Sequence, residues 1–519
     1  MSSLFKHCVF RLFILLPLML PLSAVNASEL LRAQVEILGT SEVGSNPHGL
    51  HNIAELVELY AGRNYQPLWF GGGPLAPVRD TLVAEIADSA GHGFPLGRYH
   101  YQQLLEAVLN EATLDLLYTD ALMSQAEDRF SGVIQKLEED WFIERPQLDT
   151  AEFLATIFAE PDSLGPELQG LWPQHSQYWA LVEKRAALAA QPDVFTQRVP
   201  PGPVLRLGDG SERVRQLQLR LYGPGAYSGV FDEQLRAAVK DFQHDAGLEP
   251  DGLVGPATLE LLNADRFSWI DQIDANLERW RWLPRQIPST YIRVNIADFN
   301  LLVVQDGERV LTMDVIVGQP YRSTPVFTES LRYLVFFPYW NLPYRIAVKD
   351  KLPLLRQDPV PLAAAGYEVQ LVGSNEYLPV TEVDWEKIRP GEFTLRQKPG
   401  PKNALGRVKF MLPNPHAVYL HDTPDKRLFN KRERVFSSGC IRLAEPAELA
   451  RWVLEYDASE YLTQLDKLLA QGPTTTAYLS QPIPVFLVYF TAFEQDGVVF
   501  RRDVYGRDRR IIEELRRTS

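Results

Sequence analysis

Cysteine is almost missing from this chain, with two residues in 519, Cys8 and Cys440. That scarcity excludes a disulfide-stapled scaffold and a thiolate-rich zinc site. Positive charge is also short. Lys and Arg number 52 against 66 Asp and Glu, a formal net charge of −14, so nucleic acid is not an expected partner, because phosphate binding calls for a basic surface. The nine histidines are thinly spread. His48, His51, His92 and His100 lack the spacing of a metal site, and no metal or cofactor is expected. Long apolar runs are absent beyond the first residues, so the body of the chain is not expected to span a membrane. Hydrophobic residues at 45% and charged ones at 23% are proportions of a globular protein, and the length suits about three domains.

The start of the chain reads as an export signal over 1–27. Lys6, His7 and Arg11 lead into an apolar run over 12–22 that Pro17 and Pro21 interrupt, and Val25-Asn26-Ala27 offers small residues for cleavage before Ser28. The run is too short for a comfortable span. If cleaved, the signal leaves Cys440 as the single thiol of an exported protein, unable to form an internal disulfide. If retained, it is an anchor. In both cases the bulk of the chain lies outside the cytoplasm.

Residues 28–200 carry helical periodicity and read as an N-terminal scaffold domain. Ile53, Leu56, Val57 and Tyr60 share one helix face, and similar patterns run through 78–90, 101–109 and 114–137. Pro200-Pro201-Gly202-Pro203 reads as a linker. A compact unit over 201–265 follows, with helices marked by Val214, Leu217 and Leu221, by Leu235, Ala238, Val239 and Phe242, and around 257–262. Its glycines, Gly223, Gly225 and Gly229, do not follow a strand, so a nucleotide loop is not expected. Strands begin after Trp280-Arg281-Trp282 in a third domain over 285–519. Tyr291-Ile292-Arg293-Val294-Asn295-Ile296 alternates, and Asp306-Gly307 joins two further strands as a hairpin turn. Residues 345–405 read as irregular and proline-rich, the profile of a functional lid. Strands resume at 408–412 and 417–421, a helix starts at Pro446, and a closing pair is expected at 485–493 and 498–504. The C-terminal arginines alternate with acids and read as a solvated, salt-bridged end.

The chemistry centres on Ser437-Ser438-Gly439-Cys440-Ile441-Arg442 and on His421 upstream of it. A thiolate is the nucleophile, so Cys440 needs a proton acceptor or a positive field, and His421 can supply the first. In a strand ending at His421, Tyr419 shares its face while His416 points away, which makes His421 the base and His416 structural. Gly439 permits an unusual turn, from which the Gly439 and Cys440 amides are expected to face a developing oxyanion. Arg442 suits a carboxylate or the loop itself. The competing reading of Cys440 is an inert buried thiol, against which its polar and flexible flanks argue. Zinc fails for want of a third ligand.

Two resemblances follow from these residues. The 201–265 unit resembles a three-helix peptidoglycan-binding domain through Leu207-Gly208, Leu217-Gln218, Gly229, Phe242-Gln243, Asp251-Gly252, Gly255 and Thr258. His421-Asp422-Thr423-Pro424 and Ser438-Gly439-Cys440-Ile441-Arg442 resemble the YkuD-type L,D-transpeptidase family. The layout is similar to its large YcbB-like members, as are Pro338-Tyr339-Trp340-Asn341-Leu342-Pro343 and Tyr489-Phe490-Thr491-Ala492. Ser438 stands where many members carry histidine, which removes a candidate second base. The resemblance implies a multidomain α+β protein with a helical scaffold, a peptidoglycan-binding domain and a mainly-β catalytic domain bearing a long capping insertion. It implies 3→3 cross-linking through a Cys440 thioester, with Cys440, His421 and Gly439 catalytic. Tyr419, Arg442, Ser438, Trp340 and Asn341 would bind substrate, although Trp340 reads almost as well as a core aromatic. Peptidoglycan stems as donor and acceptor, penicillin-binding synthases as partners, a periplasmic location and acylation by carbapenems are further implications. Water or a lipoprotein amine as acceptor, and a non-catalytic wall-binding scaffold, remain the alternatives.

Overall fold

The computed structural model describes residues 27–40, 46–106, 109–135, 140–191, 198–470 and 472–517. The expected export signal and Cys8 lie outside the described residues, apart from Ala27 at the start of the first helix. Among the described residues no helix is long and apolar enough to cross a membrane.

The N-terminal region is helical throughout. Its central helix, Glu111–Ser131, is buried along nearly its whole length. The buried Asp115 carboxylate accepts the Tyr60 hydroxyl at 2.6 Å and the main-chain N–H groups of Leu68, Trp69 and Phe70 at 2.8–3.1 Å, so it holds the loop after the second helix in place.

Three helices, Glu212–Tyr222, Glu233–Asp245 and Pro256–Leu262, form the compact unit that follows. Ser211 and Asp232 cap the first two. Two buried glutamines pin the loops between them. Gln218 accepts the Gly229 N–H at 3.0 Å, and Gln243 accepts the Gly252 N–H at 2.8 Å while donating to Thr258. Val214, Leu217, Phe231, Leu235, Val239 and Leu262 make its separate core.

The C-terminal region is built on strands β1 (Tyr291–Asn295), β2 (Asn300–Gln305), β3 (Glu308–Gly318), β4 (Phe327–Phe336), β5 (Trp340–Asn341), β6 (Tyr367–Leu371), β7 (Leu378–Pro379), β8 (Phe393–Gln397), β9 (Val408–Met411), β10 (Leu420–His421), β11 (Val435–Ser437), β12 (Ile441–Leu443), β13 (Thr475–Val488), β14 (Ala492–Glu494) and β15 (Val498–Phe500). Nine of them form one sheet in the order β11-β3-β12-β10-β9-β4-β13-β1-β2, and β2 also pairs with β3, so the sheet closes on itself and loses its long free edges. Asp306 and Gly307, at φ 52° and 88°, make the two-residue turn between β2 and β3 whose positive φ values suit the strand twist.

The structure corrects three expectations. Residues 345–405 are not irregular. With β5 they form an ordered cap of short helices and a second sheet, β5-β8-β6-β7, over its own core of Leu342, Leu352, Leu355, Val369, Trp385, Phe393 and Leu395. Its prolines misled because Pro353 and Pro361 sit in first helical turns, where the missing N–H costs nothing. The closing pair is a short hairpin, β14 with β15, whereas 485–488 belong to the long β13 between β1 and β4. The C-terminal arginines lie largely on a helix, Arg507–Arg517, which buries Ile511 and Leu515 and also Arg507 and Asp508 with their ion pairs, while Arg509 and Arg516 pair on the outer face.

A helix the periodicity did not mark, Arg266–Arg281, joins the scaffold to the sheet. Its final turns bury Asn276, Glu278, Arg279 and Arg281 together with Leu277 and Trp280, so charge interrupts the apolar spacing that a hydrophobic pattern looks for. Glu278 accepts the Ile134 N–H at 2.8 Å, the Trp282 indole at 3.0 Å and the Arg281 guanidinium at 2.7 Å. Arg281 in turn reaches the His92 carbonyl and the Tyr178 hydroxyl. On the other side Arg279 pairs with Asp508 at 2.5 Å, and Asn276 holds Thr491. Glu278→Ala is expected to lower unfolding stability by about 3–5 kcal/mol, because it leaves Arg281 buried and unpaired. Chemical denaturation measures this, and Glu278→Gln should cost less.

Candidate active site

Two short strands set the geometry. β10 and β12 run parallel, with Leu420 opposite Ile441 and His421 opposite Arg442, and the Ile441 N–H donates to the Tyr419 carbonyl at 3.1 Å. Cys440 therefore lies across from Tyr419, and the period of two puts Tyr419, His421, Cys440 and Arg442 on one face. β9 extends that face, since Lys409 is the register partner of His421. A cavity of about 450 Å³ opens over it, lined by Cys440, His421, Tyr419, Arg442, Ser437 and Ser438 from the sheet side and by Trp340, Arg345, Lys351 and Tyr367 from the cap.

The loop carrying the thiol is held by hydroxyls. Gly439 has φ 119°, a conformation that favours glycine. Thr324 donates to the Gly439 carbonyl at 2.8 Å and accepts the Gly318 N–H at 2.9 Å. The Ser437 hydroxyl accepts the Gly439 N–H at 3.1 Å and donates to the Cys440 carbonyl at 2.5 Å. This corrects one expectation. The Gly439 amide is occupied by Ser437 and does not face the cavity, whereas the Cys440 N–H has no acceptor among the described residues.

The sulfur lies against Ala417, whose carbonyl is 3.7 Å away, and against the Tyr419 hydroxyl. Ala417 has φ 54°, an uncommon value for a non-glycine residue. Asn414 braces the segment around it, bonding to the Val418 carbonyl at 2.7 Å and to the main-chain N–H groups of His416 and Val418. Burial pushes the Cys440 thiol up, opposed by the Tyr419 bonds and by the charges of Lys409 and Arg442. Tyr419 is also raised, by burial first, with the Trp340 side chain opposing the shift.

His421 lies diagonally from Cys440 on the shared face. Its Nδ1 is 2.5 Å from the Asp422 carbonyl. A carbonyl only accepts, so Nδ1 carries the hydrogen and Nε2 keeps its lone pair. Burial, then the charges of Arg442, Lys409 and Lys426, lower His421 to about 3 against the favourable Asp422 bond. The imidazole is thus neutral and able to accept a proton.

The remaining expected residues divide. Trp340 is half-buried, lines the cavity and touches the Tyr419 hydroxyl. Ser438 lines it too, its hydroxyl accepting from Arg322 at 3.1 Å. Asn341 is exposed and does not line the cavity, because strand alternation turns it away from Trp340. His416 packs against Phe142, ring centroids 4.1 Å apart, but it also lines the cavity, so the positive φ of Ala417 breaks the alternation that was expected to turn it away. Lys409 and Arg322 were missed. Lys409 had a signal, a charge between Val408 and Phe410 in an otherwise apolar strand. Arg322 had none, since its partners are distant in sequence, with Asp350 of the cap at 2.6 Å and Ser438 of the thiol loop. No group of three or more metal-binding side chains occurs among the described residues.

Comparison with known proteins gives matches to three domain families. Residues 289–475 match the L,D-transpeptidase catalytic domain (YkuD), 54–184 a scaffold domain, and 210–262 the family described as "Putative peptidoglycan binding domain". A Haemophilus influenzae protein named "Putative L,D-transpeptidase" is 38% identical over 231 residues, covering 44% of this chain and 47% of that protein. An uncharacterized protein of Kitasatospora aureofaciens is 43% identical over 61 residues, 11% of this chain and 52% of its own. The chain spans about half the length of the curated relatives it matches. Among solved structures, an L,D-transpeptidase from Mycobacterium smegmatis aligns at 14% identity and a TM-score of 0.20, covering 38% of this chain and 58% of that one. One from Xylanimonas cellulosilytica aligns at 15% and 0.17, covering 56% and 99%. The chain therefore carries an L,D-transpeptidase catalytic domain of the YkuD type, preceded by a peptidoglycan-binding domain.

The lowered pKa of His421 has a testable sign. An unfolded imidazole titrates near 6.5 and the folded one near 3, so the unfolded state binds the extra proton between those values and stability is lost as pH falls through that window. His92, also lowered to about 3 by burial, adds the same sign. In urea titrations at pH 7 and pH 4, His421→Gln should lose less stability on acidification than the parent chain. Parallel losses would contradict the assignment.

Proposed function

We propose that the protein is a peptidoglycan L,D-transpeptidase that forms 3→3 cross-links through a thioester on Cys440. The observation that supports this reading is the pairing of β10 with β12, which puts the single described thiol and a neutral imidazole on one face of the sheet, both lining one cavity in a YkuD-type domain. In the donor half-reaction the Cys440 sulfur attacks the carbonyl between meso-diaminopimelate, third in the stem, and D-alanine. Its proton passes to His421 Nε2. The carbon–nitrogen bond breaks, the D-alanine amine leaves with that proton, and a thioester remains. The side-chain amine of a second stem's diaminopimelate then attacks the thioester, again losing a proton to His421, and the thiol re-forms with that proton. The Cys440 N–H and the Tyr419 hydroxyl are the donors suited to the oxyanion.

The lining favours an anionic substrate. Arg322, Arg345, Lys351 and Arg442 surround the cavity against a single carboxylate, Asp350, although the whole chain is acidic. Stem peptides carry free carboxylates that such a lining attracts. The peptidoglycan-binding domain supports the same polymer as partner. A periplasmic site of action, cooperation with penicillin-binding synthases and acylation of Cys440 by carbapenems belong to this proposal.

Purified tetrapeptide muropeptides incubated with the protein should give dimers one D-alanine lighter, read by mass spectrometry. Tripeptides alone would mean that water is the acceptor and the enzyme a carboxypeptidase. Unchanged substrate would support a wall-binding scaffold, and a lipoprotein amine would be tested by adding that acceptor. Cys440→Ala should lower product by at least about 10³-fold while binding to isolated sacculi persists.

A further inference from the structure

Lys409 is the one cation on the reactive face whose place the proposed acyl transfer does not explain. It sits mid-strand in β9, opposite His421 across the sheet, and its Nζ is 4.3 Å from the centroid of the Tyr419 ring. The surroundings are partly buried and desolvate it, and no carboxylate forms a salt bridge with it among the described residues. A half-buried ammonium without a counter-ion is costly. The acidic group whose ionised form favours its charge is Cys440. Between the two stands Tyr419, its ring against the ammonium and its hydroxyl against the sulfur.

We propose that Lys409 is the positioning residue that activates Cys440, holding the Tyr419 ring by a cation–π contact and stabilising the thiolate through its charge. The other charged and titratable groups around the sulfur are already engaged or neutral. Arg442, two residues beyond the sulfur, divides its charge between Asp425 and Cys440. Arg322, from the loop after β3, is clamped by Asp350 of the cap. His421 is neutral and His416 packs against Phe142. Arg345 and Lys351 line the far, cap side of the cavity, where Lys351 lies over the Tyr367 ring. Lys409 is the cation near the sulfur with no carboxylate acting on it. Its contribution is made in the resting enzyme, before any substrate arrives, so the inference needs Cys440 as a nucleophile but not the identity of donor or acceptor.

The test is the pH dependence of Cys440 alkylation by iodoacetamide in the full chain without substrate, followed by mass mapping of the Cys440 peptide so that Cys8 does not count. In that reaction the thiolate sulfur forms a bond to the methylene carbon, iodide leaves, and the thiol proton goes to buffer. Lys409→Met keeps the aliphatic stem and removes the charge. Its alkylation midpoint should move up by about one pH unit, making the rate near neutrality about tenfold slower, while Lys409→Arg should stay near the parent profile. Tyr419→Phe should move the midpoint in the same direction. If Lys409→Met does not fold, Lys409→Gln makes the same comparison. A profile for the neutral variant that superimposes on the parent overturns the proposal, and so does an arginine variant displaced as far as the neutral one. Failure of muropeptide transfer with this shift intact would overturn the acyl-transfer reading and leave the activation of the thiol standing.

Discussion

The parallel contact between two very short strands is the constraint on which the site depends. Leu420 and His421 pair with Ile441 and Arg442 and with nothing longer on that side, yet this register alone decides which side chains meet. A slip of one residue would turn Cys440 or His421 to the opposite face of the sheet. Short strands specify register weakly by themselves, so it has to be fixed from outside. On one flank β9 pairs with β10, and on the other β3 pairs with β12. Both neighbours are braced by long strands, β4 and β2. The reactive pair is thus the narrow centre of a closed sheet.

The thiol loop is secured by a second system, of polar side chains. Tyr489 donates to Asp503 at 2.6 Å and accepts the Tyr505 N–H, and the Tyr505 hydroxyl reaches the Gly318 carbonyl at 2.6 Å and the Thr324 N–H. Thr324 then holds Gly439. Next in the chain, Thr491 bonds to Asn276 and to Asp508, which binds Arg279. The Tyr489–Ala492 segment is therefore the point where the Arg266–Arg281 helix, the C-terminal helix and the thiol loop meet. Buried polar groups that are mutually satisfied rigidify a structure more than their individual energies suggest, and here they link the scaffold to the residue that must be placed best.

What the sequence disclosed follows the same division. Local patterns were legible: the Asp306-Gly307 turn, the alternation of β1, the face shared by Tyr419 and His421, and the isolated thiol after a glycine. Each depends on neighbours along the chain. The Arg266–Arg281 helix was hidden because charged residues are buried among its apolar ones, and the cap because prolines that begin helices look like prolines that end them. Arg322 and the state of the Gly439 amide were hidden for another reason. The occupation of the Gly439 amide by Ser437, and the clamp from Arg322 to Asp350 and Ser438, are properties of how distant segments converge, and no spacing records them. Asn341 was misplaced next to a correctly placed Trp340, because a motif names consecutive residues whereas a strand sends them to opposite sides.

The electrostatics of the cavity impose opposite demands on its two titrating groups. The positive charges of Lys409 and Arg442 favour a thiolate on Cys440 and disfavour a proton on His421. Burial disfavours both charged forms. A resting thiolate–imidazolium pair is therefore not the state this site stabilises most, because each added cation that helps the sulfur penalises the ring. The neutral ring is more useful later. Under the proposed chemistry His421 must take a proton as the sulfur attacks and give it up to the departing amine, and a base that holds a proton weakly releases it readily. An anionic stem entering the cavity brings negative charge beside the same cations, which lessens their penalty on the ring at the moment when it has to be charged. Under that proposal the acidity of His421 is set partly by the substrate, and the cationic lining serves recognition and timing through one set of side chains.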